Sequence, residues 1–183
     1  VEFVKTSWPT LTKDLQADAF DLAMSGVSIT LERAKVGYFS NPVMREGKTP
    51  VARCADREKY EELSQIDRPQ VRVVVNPGGT NERFARANLK AAPIVVHPDN
   101  ATIFDEIAQG RADVMMTDSS EALYQQKMNP GVLCAVRAEK PLDFTEKAYW
   151  LPRDAPLKYF IDQWLHIVVE TGEFAAIRAK YFD

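Results

Sequence analysis

The sequence predicts an α/β protein, and three observations support this fold class. Short apolar runs such as residues 71–75 and 113–116 alternate with amphipathic stretches such as residues 81–89. Turn-forming Gly, Pro, Asn and Thr follow several of these runs. The 183 residues are 45% hydrophobic and 27% charged, which provides both a core and a charged surface. Strands that alternate with helices indicate a parallel sheet covered by helices.

The first forty residues are predicted to alternate between strand and helix. Residues 1–4 alternate like a strand, and residues 20–24 form a second short apolar strand. Between them, Leu11 and Leu15 have helical spacing. Another helix begins after Thr30, because Thr is a favoured N-cap residue and an acidic residue follows in the first turn.

The remaining elements follow from apolar runs and helical periodicity. Extended segments are predicted at residues 49–54, 71–75, 93–96, 113–116, 132–136 and 148–151. Helices are predicted at residues 81–89, around 103–108, at 122–128 and as one long helix over 156–180. No apolar run approaches the roughly 20 residues needed to span a bilayer, so no membrane insertion is expected.

Charge and cysteine content narrow the function classes. The chain has 23 basic and 26 acidic side chains without a dense Lys and Arg cluster, which argues against binding of nucleic acid. Cys54 and Cys134 lie in similar apolar contexts, so they are either buried thiols or one disulfide between neighbouring strands. The chain opens on Val1 without a basic segment and an apolar stretch, so we expect that any signal peptide has been removed or was never included.

Three strand ends carry polar residues suited to ligand binding. In an open α/β sheet, ligands bind beyond the carboxyl ends of the strands, where helix starts present backbone N–H groups. The segments are Ser25-Gly-Val-Ser28, Asn76-Pro-Gly-Gly-Thr80-Asn81 and Thr117-Asp-Ser-Ser-Glu121. Their hydroxyls and amides suit a carboxylate, and Arg33 offers a planar guanidinium to the same anion.

Each of these segments also has a purely structural interpretation. Gly78-Gly79 suits a turn that needs positive φ, and Ser28, Thr80 and Ser119 are residue types that cap helices. Glu121 falls in the first turn of a helix, where the helix dipole favours acidic side chains without any function. When each segment is considered alone, the structural interpretation is favoured over a functional one.

Several common catalytic motifs are absent from the sequence. There is no nucleotide-type phosphate-binding loop, no Gly-x-Ser-x-Gly elbow and no dinucleotide fingerprint, so kinase, hydrolase and dehydrogenase activities lose support. His97 and His166 have no further His or Cys at ligand spacing, so no metal site is predicted.

Taken together, the strand ends resemble the ligand-binding segments of periplasmic amino-acid-binding proteins, which have the type II solute-binding fold. The segment Ala23-Met-Ser-Gly-Val-Ser-Ile-Thr-Leu-Glu-Arg33 carries this likeness. Further motifs look like those of the cyclohexadienyl dehydratases, a family of periplasmic enzymes that act on prephenate and arogenate. These motifs are Thr6-Ser-Trp-Pro9, Glu46-Gly-Lys-Thr-Pro50, Asn76-Pro-Gly-Gly-Thr-Asn-Glu82, Val96-His-Pro-Asp-Asn100, Met115-Met-Thr-Asp118 and Glu146-Lys-Ala-Tyr149.

The resemblance implies a periplasmic-binding-protein-like α/β fold with two lobes, two crossing strands and the active site in the cleft. Residues 1–48 with 147–183 would form the first lobe, and residues 49–146 the second. The family's first strand, an aromatic loop and a helix have no counterpart before Val1, so we expect the first lobe to be incomplete, with an exposed sheet edge. The resemblance also implies a periplasmic location and no cofactor, and it leaves homo-oligomer formation open.

The roles of family residues carry over position by position. Glu121 matches the general acid of the dehydratases. The other matched positions would bind the substrate: Ser25, Ser28, Arg33 and Thr80 its carboxylate, Asp118 an α-ammonium group, and Trp8, Lys48, Asn76 and Asn81 the rest of the cleft. Lys48 and Arg33 would anchor the two anionic ends of prephenate.

This assignment suits the reaction that the resemblance implies. Loss of carbon dioxide and hydroxide from the cyclohexadiene ring yields an aromatic ring, so the enzyme mainly protonates the departing hydroxyl and holds the carboxylates. Burial raises the pKa of a carboxyl group, which suits a glutamic acid to this role.

The main alternative is a non-catalytic amino-acid receptor that feeds a membrane transporter. It shares most of the binding residues, but a receptor for a neutral amino acid has no use for Glu121 beside a second anion anchor at Lys48. A ligand-sensing domain fused to a larger protein is less favoured.

Overall fold

The computed structural model describes residues 1–182, apart from the side chains of Ser25 and Phe182. The chain separates into two compact units. Unit 1 comprises Val1–Arg45 with Thr145–Tyr181, and unit 2 comprises Glu46–Phe144. The chain therefore passes between the units twice, once after Arg45 and once after Phe144.

Both units contain strands and helices. In chain order the elements are α1 (Leu11–Gln16), β1 (Ala23–Ser28), α2 (Leu31–Ala34), β2 (Tyr38–Phe39), β3 (Met44–Glu46), β4 (Lys48–Arg53), a 3₁₀ helix (Cys54–Lys59), α3 (Leu63–Ile66), β5 (Val73–Val75), α4 (Thr80–Asn88), β6 (Ile94–Val96), α5 (Ile103–Ala108), β7 (Val114–Asp118), α6 (Ser119–Met128), β8 (Leu133–Ala135), β9 (Thr145–Leu151), α7 (Ala155–Glu170) and α8 (Glu173–Phe182). None of the helices among residues 1–182 is long and apolar enough to cross a membrane.

The sheet of unit 1 is built around β9. It pairs antiparallel with β1 and with β2, and β3 also pairs with it. Trp150, the next-to-last residue of β9, is fully buried and packs with Leu11 and Leu15 of α1 and with Val27 of β1. The pairing places Ser28 directly opposite Lys147.

The sheet of unit 2 has five strands in the order β6-β5-β7-β4-β8. Strand β5 runs parallel to β6 and β7, whereas β4 runs antiparallel to both β7 and β8. The expectation of a wholly parallel sheet is therefore wrong. Strands β7 and β8, connected through α6, have the same direction, and β4 lies between them in the opposite one. The alternation of strands and helices along the chain does not reveal that β4 lies between β7 and β8.

Helices cover both faces of the unit 2 sheet, which explains its apolar strands. Val73 and Val75 pack on one side with Ala85 of α4, and Val74 packs on the other with Ile103 of α5. Successive side chains of a strand point to opposite faces, so a strand covered on both sides is apolar throughout. This packing confirms the strand predicted from the valine run.

The chain ends differ from the sequence-based expectation. Residues 1–4 form no strand and are exposed. Their alternating residue types are compatible with a strand, but a strand also needs a neighbouring strand to pair with. The predicted single helix at the C-terminal end is interrupted between α7 and α8. Gly172 lies there with a φ of 78°, a left-handed conformation that glycine adopts at helix ends. The helix start predicted at Thr30 is confirmed, because the Thr30 side chain accepts a hydrogen bond from the Arg33 backbone N–H.

Cys54 and Cys134 form a disulfide, which decides between the two states that the sequence left open. The bridge follows the pairing of β4 with β8, which places Ala52 opposite Cys134. It joins positions that are 80 residues apart in the chain.

Candidate functional site

A polar cluster lies at one edge of the unit 2 sheet, where β5 and β7 end and β4 begins. Because β4 is antiparallel to β7, its first residue, Lys48, lies opposite Asp118, the last residue of β7. Asn76 follows β5 directly, and α4 begins at Thr80. The fold thus brings together the predicted site residues of this unit: Lys48, Asn76, Thr80, Asn81, Asp118 and Glu121. These six residues and Thr117 are called the unit 2 cluster below.

Lys48 is the centre of the unit 2 cluster. Its side chain is 3% exposed. Its Nζ donates hydrogen bonds to Asp118 Oδ1 at 2.6 Å, to Thr80 Oγ1 at 2.9 Å and to Asn81 Oδ1 at 2.5 Å. An ammonium group has three N–H donors, so all of them have acceptors within unit 2. A buried charge requires this compensation, because its removal from water is otherwise unfavourable.

Asn81 extends the unit 2 cluster towards Glu121. Its Nδ2 donates to Asn76 Oδ1 at 3.2 Å and to Thr117 Oγ1 at 3.1 Å. The Thr117 hydroxyl donates in turn to Glu121 Oε2. Thr117 is fully buried, whereas Glu121 is half-buried. A continuous series of hydrogen bonds therefore connects the Lys48 ammonium group to the Glu121 carboxyl group.

The start of α6, which carries Glu121, is held by hydrogen bonds to Glu46 and Gly47. Ser119 Oγ donates to the Gly47 carbonyl oxygen at 2.9 Å, and the Ser120 backbone N–H donates to Glu46 Oε2 at 2.8 Å. These bonds use backbone and side-chain groups at the helix start, where N–H groups have no partner within the helix. They fix the position of the first turn and hence of Glu121.

These contacts refine two of the roles expected from the sequence. Lys48, expected as an anchor for a substrate anion, already donates to three protein groups. Asp118, expected to receive an ammonium group, already accepts from the Lys48 ammonium. Either role requires a ligand group to compete with this ion pair. Lys48 thus acts in this structure as the cation that organises the unit 2 cluster.

Unit 1 has a second polar group around Ser28. Arg33 is 7% exposed, and its Nη1 donates to the Ser28 carbonyl oxygen at 2.9 Å. The Arg33 guanidinium also lies over the Trp8 ring, 5.6 Å from its centroid, within the range of a cation–π interaction. Lys147, 3% exposed, donates from Nζ to Ser28 Oγ at 2.7 Å. The predicted residues Trp8, Ser28 and Arg33 therefore lie together, whereas the side chain of Ser25 lies outside the described residues.

Two residues of these groups were not assigned from the sequence. Thr117 lies four residues before Glu121, within one of the polar strand ends, but the spacing alone does not reveal the direction of its hydroxyl. Lys147 is part of a recognised motif, but only the pairing of β1 with β9 places it opposite Ser28. In the part of the chain that the structure describes, no group of three or more His, Cys, Asp or Glu residues is arranged to hold a metal ion.

The sequence matches one protein family along its whole length. Residues 1–183 match the bacterial extracellular solute-binding proteins, family 3. The chain belongs to this family. Membership confirms the type II solute-binding fold that the strand-end motifs predicted.

Individual relatives agree with the narrower resemblance. Cyclohexadienyl dehydratase of Pseudomonas aeruginosa is 56% identical over 169 residues, which are 92% of this chain and 63% of that protein. The crystal structure of an ancestral amino acid-binding protein, described as a precursor of cyclohexadienyl dehydratase, is similar with a TM-score of 0.88 and 32% identity, over 100% of this chain and 78% of that one. An ancestral cyclohexadienyl dehydratase is 50% identical with a TM-score of 0.52, over 99% of this chain and 75% of that one. These findings confirm the resemblance to cyclohexadienyl dehydratases.

Proposed function

We propose that the protein is a cyclohexadienyl dehydratase that converts prephenate to phenylpyruvate and arogenate to phenylalanine. The chain spans 63% of the length of the curated relative that has this name, so the activity is proposed for this chain. The observation that carries the proposal is the setting of Glu121. It is a half-buried carboxyl group in the first turn of α6, joined by hydrogen bonds to a buried lysine.

The reaction needs one proton and no redox step. The bond between the ring and its carboxylate breaks, carbon dioxide leaves, and the bonding electron pair enters the ring. The carbon–oxygen bond of the para hydroxyl breaks at the same time, and the Glu121 proton converts the departing hydroxide into water. Glu121 then regains a proton from solvent. A positioned general acid contributes roughly 10² to 10⁴ in rate.

We further propose that the polar group of unit 1 binds a substrate carboxylate. Lys147 donates to the Ser28 hydroxyl and Arg33 donates to the Ser28 backbone carbonyl oxygen, so a carboxylate bound beside Ser28 would have two cations close to it. Charge-assisted hydrogen bonds of this kind are among the strongest in proteins.

The test is turnover of prephenate, followed through the absorbance of phenylpyruvate. The wild-type protein should form phenylpyruvate, and Glu121→Gln should lower kcat by roughly 10² or more, because an amide has no acidic proton. Glu82→Gln is a matched control. Glu82 also lies in the first turn of a helix and accepts a backbone N–H, that of Gly78. Near-normal turnover by Glu121→Gln would refute the assignment of Glu121.

The second candidate function is that of a non-catalytic amino-acid receptor. The high structural similarity to an ancestral amino acid-binding protein favours it, as does the carboxylate of Asp118 at the edge of the unit 2 sheet. Calorimetric titration with amino acids distinguishes the two functions. Tight binding without turnover of prephenate or arogenate would support the receptor.

We propose a periplasmic location. The family consists of extracellular solute-binding proteins, and the bridge between Cys54 and Cys134 suits an oxidising compartment. Fractionation of cells that produce the protein, with its redox state measured by thiol alkylation, tests this location.

A further inference from the structure

Donor and acceptor chemistry gives the hydrogen bonds of the unit 2 cluster a fixed direction. The Lys48 ammonium can only donate, so the atom of Asn81 that faces it is Oδ1, at 2.5 Å. The amide nitrogen of Asn81 must then face the other way, towards Asn76 Oδ1 and Thr117 Oγ1. Lys48 thereby determines the orientation of the Asn81 amide.

The orientation of Asn81 determines that of the next hydroxyl. Asn81 Nδ2 donates to Thr117 Oγ1, so the hydroxyl accepts on that side and its own hydrogen points to Glu121 Oε2. In a carboxylic acid the carbonyl oxygen is the better acceptor, and the proton resides on the other oxygen.

We propose that Thr117 is a positioning residue, which holds Glu121 Oε2 as the carbonyl oxygen and so places the transferable acid proton on Oε1. The inference rests on the proposed function in one respect, the role of Glu121 as proton donor. Lys48 sets the direction of these hydrogen bonds, and Asn81 and Thr117 extend the same direction to Glu121. Neither Thr117 nor Asn81 exchanges a proton with the substrate.

A donor to a carboxyl group also favours its ionised form, so loss of the Thr117 hydroxyl is expected to raise the pKa of Glu121. The elements packed around the start of α6 contribute further charged groups, namely Lys48 on β4, Asp118 on β7 and Glu46 on β3. A substitution at Thr117 leaves all three charges in place, so a shift that it causes is due to the hydroxyl.

The experiment compares Thr117→Val, which removes the hydroxyl and keeps the shape, with Thr117→Ser, which keeps the hydroxyl. Thr49→Val is the matched control. Thr49 is the partner of Thr117 across β4 and β7 and is equally buried, and its Oγ1 has no hydrogen-bond partner among the described residues. For each variant, the pH profile of kcat with prephenate and the ¹³C NMR titration of the Glu121 carboxyl are measured. Thr117→Ala is a second hydroxyl-free variant, and thermal midpoints confirm folding.

We expect Thr117→Val and Thr117→Ala to lower kcat about tenfold or more with little change in KM. This loss is part of the roughly 10² to 10⁴ that a positioned general acid contributes to the rate. The alkaline limb of the profile and the NMR titration of Glu121 should both move to higher pH. Thr117→Ser should restore wild-type values, and Thr49→Val should not depart from them. If Thr117→Val behaves like Thr49→Val, or if serine does not rescue, the inference is wrong.

The two readouts separate this inference from the proposed function. The NMR titration requires no turnover, so a protein that shows the expected shift but does not convert prephenate would refute the proposed function alone. A protein that converts prephenate with an unchanged profile in Thr117→Val would refute the inference alone.

Discussion

Lys48 and Asp118 lie opposite each other on β4 and β7, with Nζ 2.6 Å from Oδ1. Both side chains are largely buried, with exposed fractions of 3% and 15%. A residue at the beginning of one strand and another at the end of its neighbour thus form an ion pair at the edge of the sheet where α4 and α6 begin.

Substitution of Lys48 by Met should destabilise unit 2 strongly. Met preserves the volume but leaves Asp118 without its cation, and loss of one partner of a buried pair costs about 3–5 kcal/mol, reduced here by the partial exposure of Asp118. The double variant Lys48→Met with Asp118→Asn should be less destabilised than the sum of the two single variants, because the pair is coupled. Urea denaturation measures these free energies of unfolding.

Lys59→Met is the control for this series. Lys59 also pairs with an aspartate, Asp56, but its side chain is 67% exposed. Exposed pairs contribute little to stability. Equal destabilisation by Lys48→Met and Lys59→Met would contradict the importance of the buried pair.

Acid should destabilise the protein through Asp113. Its carboxylate accepts hydrogen bonds from the Arg72 side chain and backbone and from Arg53. The side-chain hydrogen bond from Arg72 is the main cause that lowers the pKa of Asp113 from 3.8 to about 2. Because the pKa is lower in the folded state, the stabilisation is complete above pH 4 and is lost as the pH falls towards 2.

Asp113→Asn should therefore be less stable than wild type at neutral pH, and the difference should shrink between pH 4 and pH 2. We expect about 1–2 kcal/mol at pH 7, less than the full shift implies, because Arg72 is 44% exposed and solvent screens the pair. Guanidinium denaturation at a series of pH values measures this difference in the free energy of unfolding. A difference that stays constant down to pH 2 would contradict the role of Asp113 in acid destabilisation.

Reduction of the disulfide should lower the free energy of unfolding. The bridge closes a loop between positions 80 residues apart, and the entropy of such a loop in the unfolded chain corresponds to about 4 kcal/mol. Denaturation with and without a reductant tests this. The double variant Cys54→Ala with Cys134→Ala should match the reduced protein and not respond to the reductant.

Gly47→Ala should disturb the site as well as the fold. A Cβ at Gly47 would lie 2.0 Å from the backbone oxygen of Asp143, so the backbone must move. Asp143 accepts the Lys48 backbone N–H, and the Gly47 carbonyl oxygen holds the start of α6. We expect a loss of about 1–3 kcal/mol, typical of overpacking, and lower turnover of prephenate.

Gly131→Ala separates these two effects. Gly131 has open space around its Cβ position but a φ of 75°, so alanine there costs about 1–2 kcal/mol through backbone strain alone. This variant should lose stability and keep its turnover. Should both variants keep full activity, the link between Gly47 and the site would be refuted.

Much of unit 2 could be predicted from the sequence, because strands buried on both faces have continuous apolar runs. The valines of β5 and the methionines of β7 are examples. Residues 1–4 were predicted wrongly, since their alternating pattern is only a local signal and a strand also needs a partner. Strand direction was also missed, because nothing local in residues 48–53 distinguishes a parallel from an antiparallel neighbour.

The sequence by itself determined the family, the polar strand ends and the identity of the candidate site residues, because these depend on residue types at fixed spacings. Only the tertiary structure decided which of these side chains share hydrogen bonds. Lys48 reaches Asn81 across 33 positions of the chain and Asp118 across 70. Hydrogen bonds require donor and acceptor to lie about 3 Å apart with suitable alignment. Strand direction and pairing register set such distances, and they follow from packing of the whole sheet.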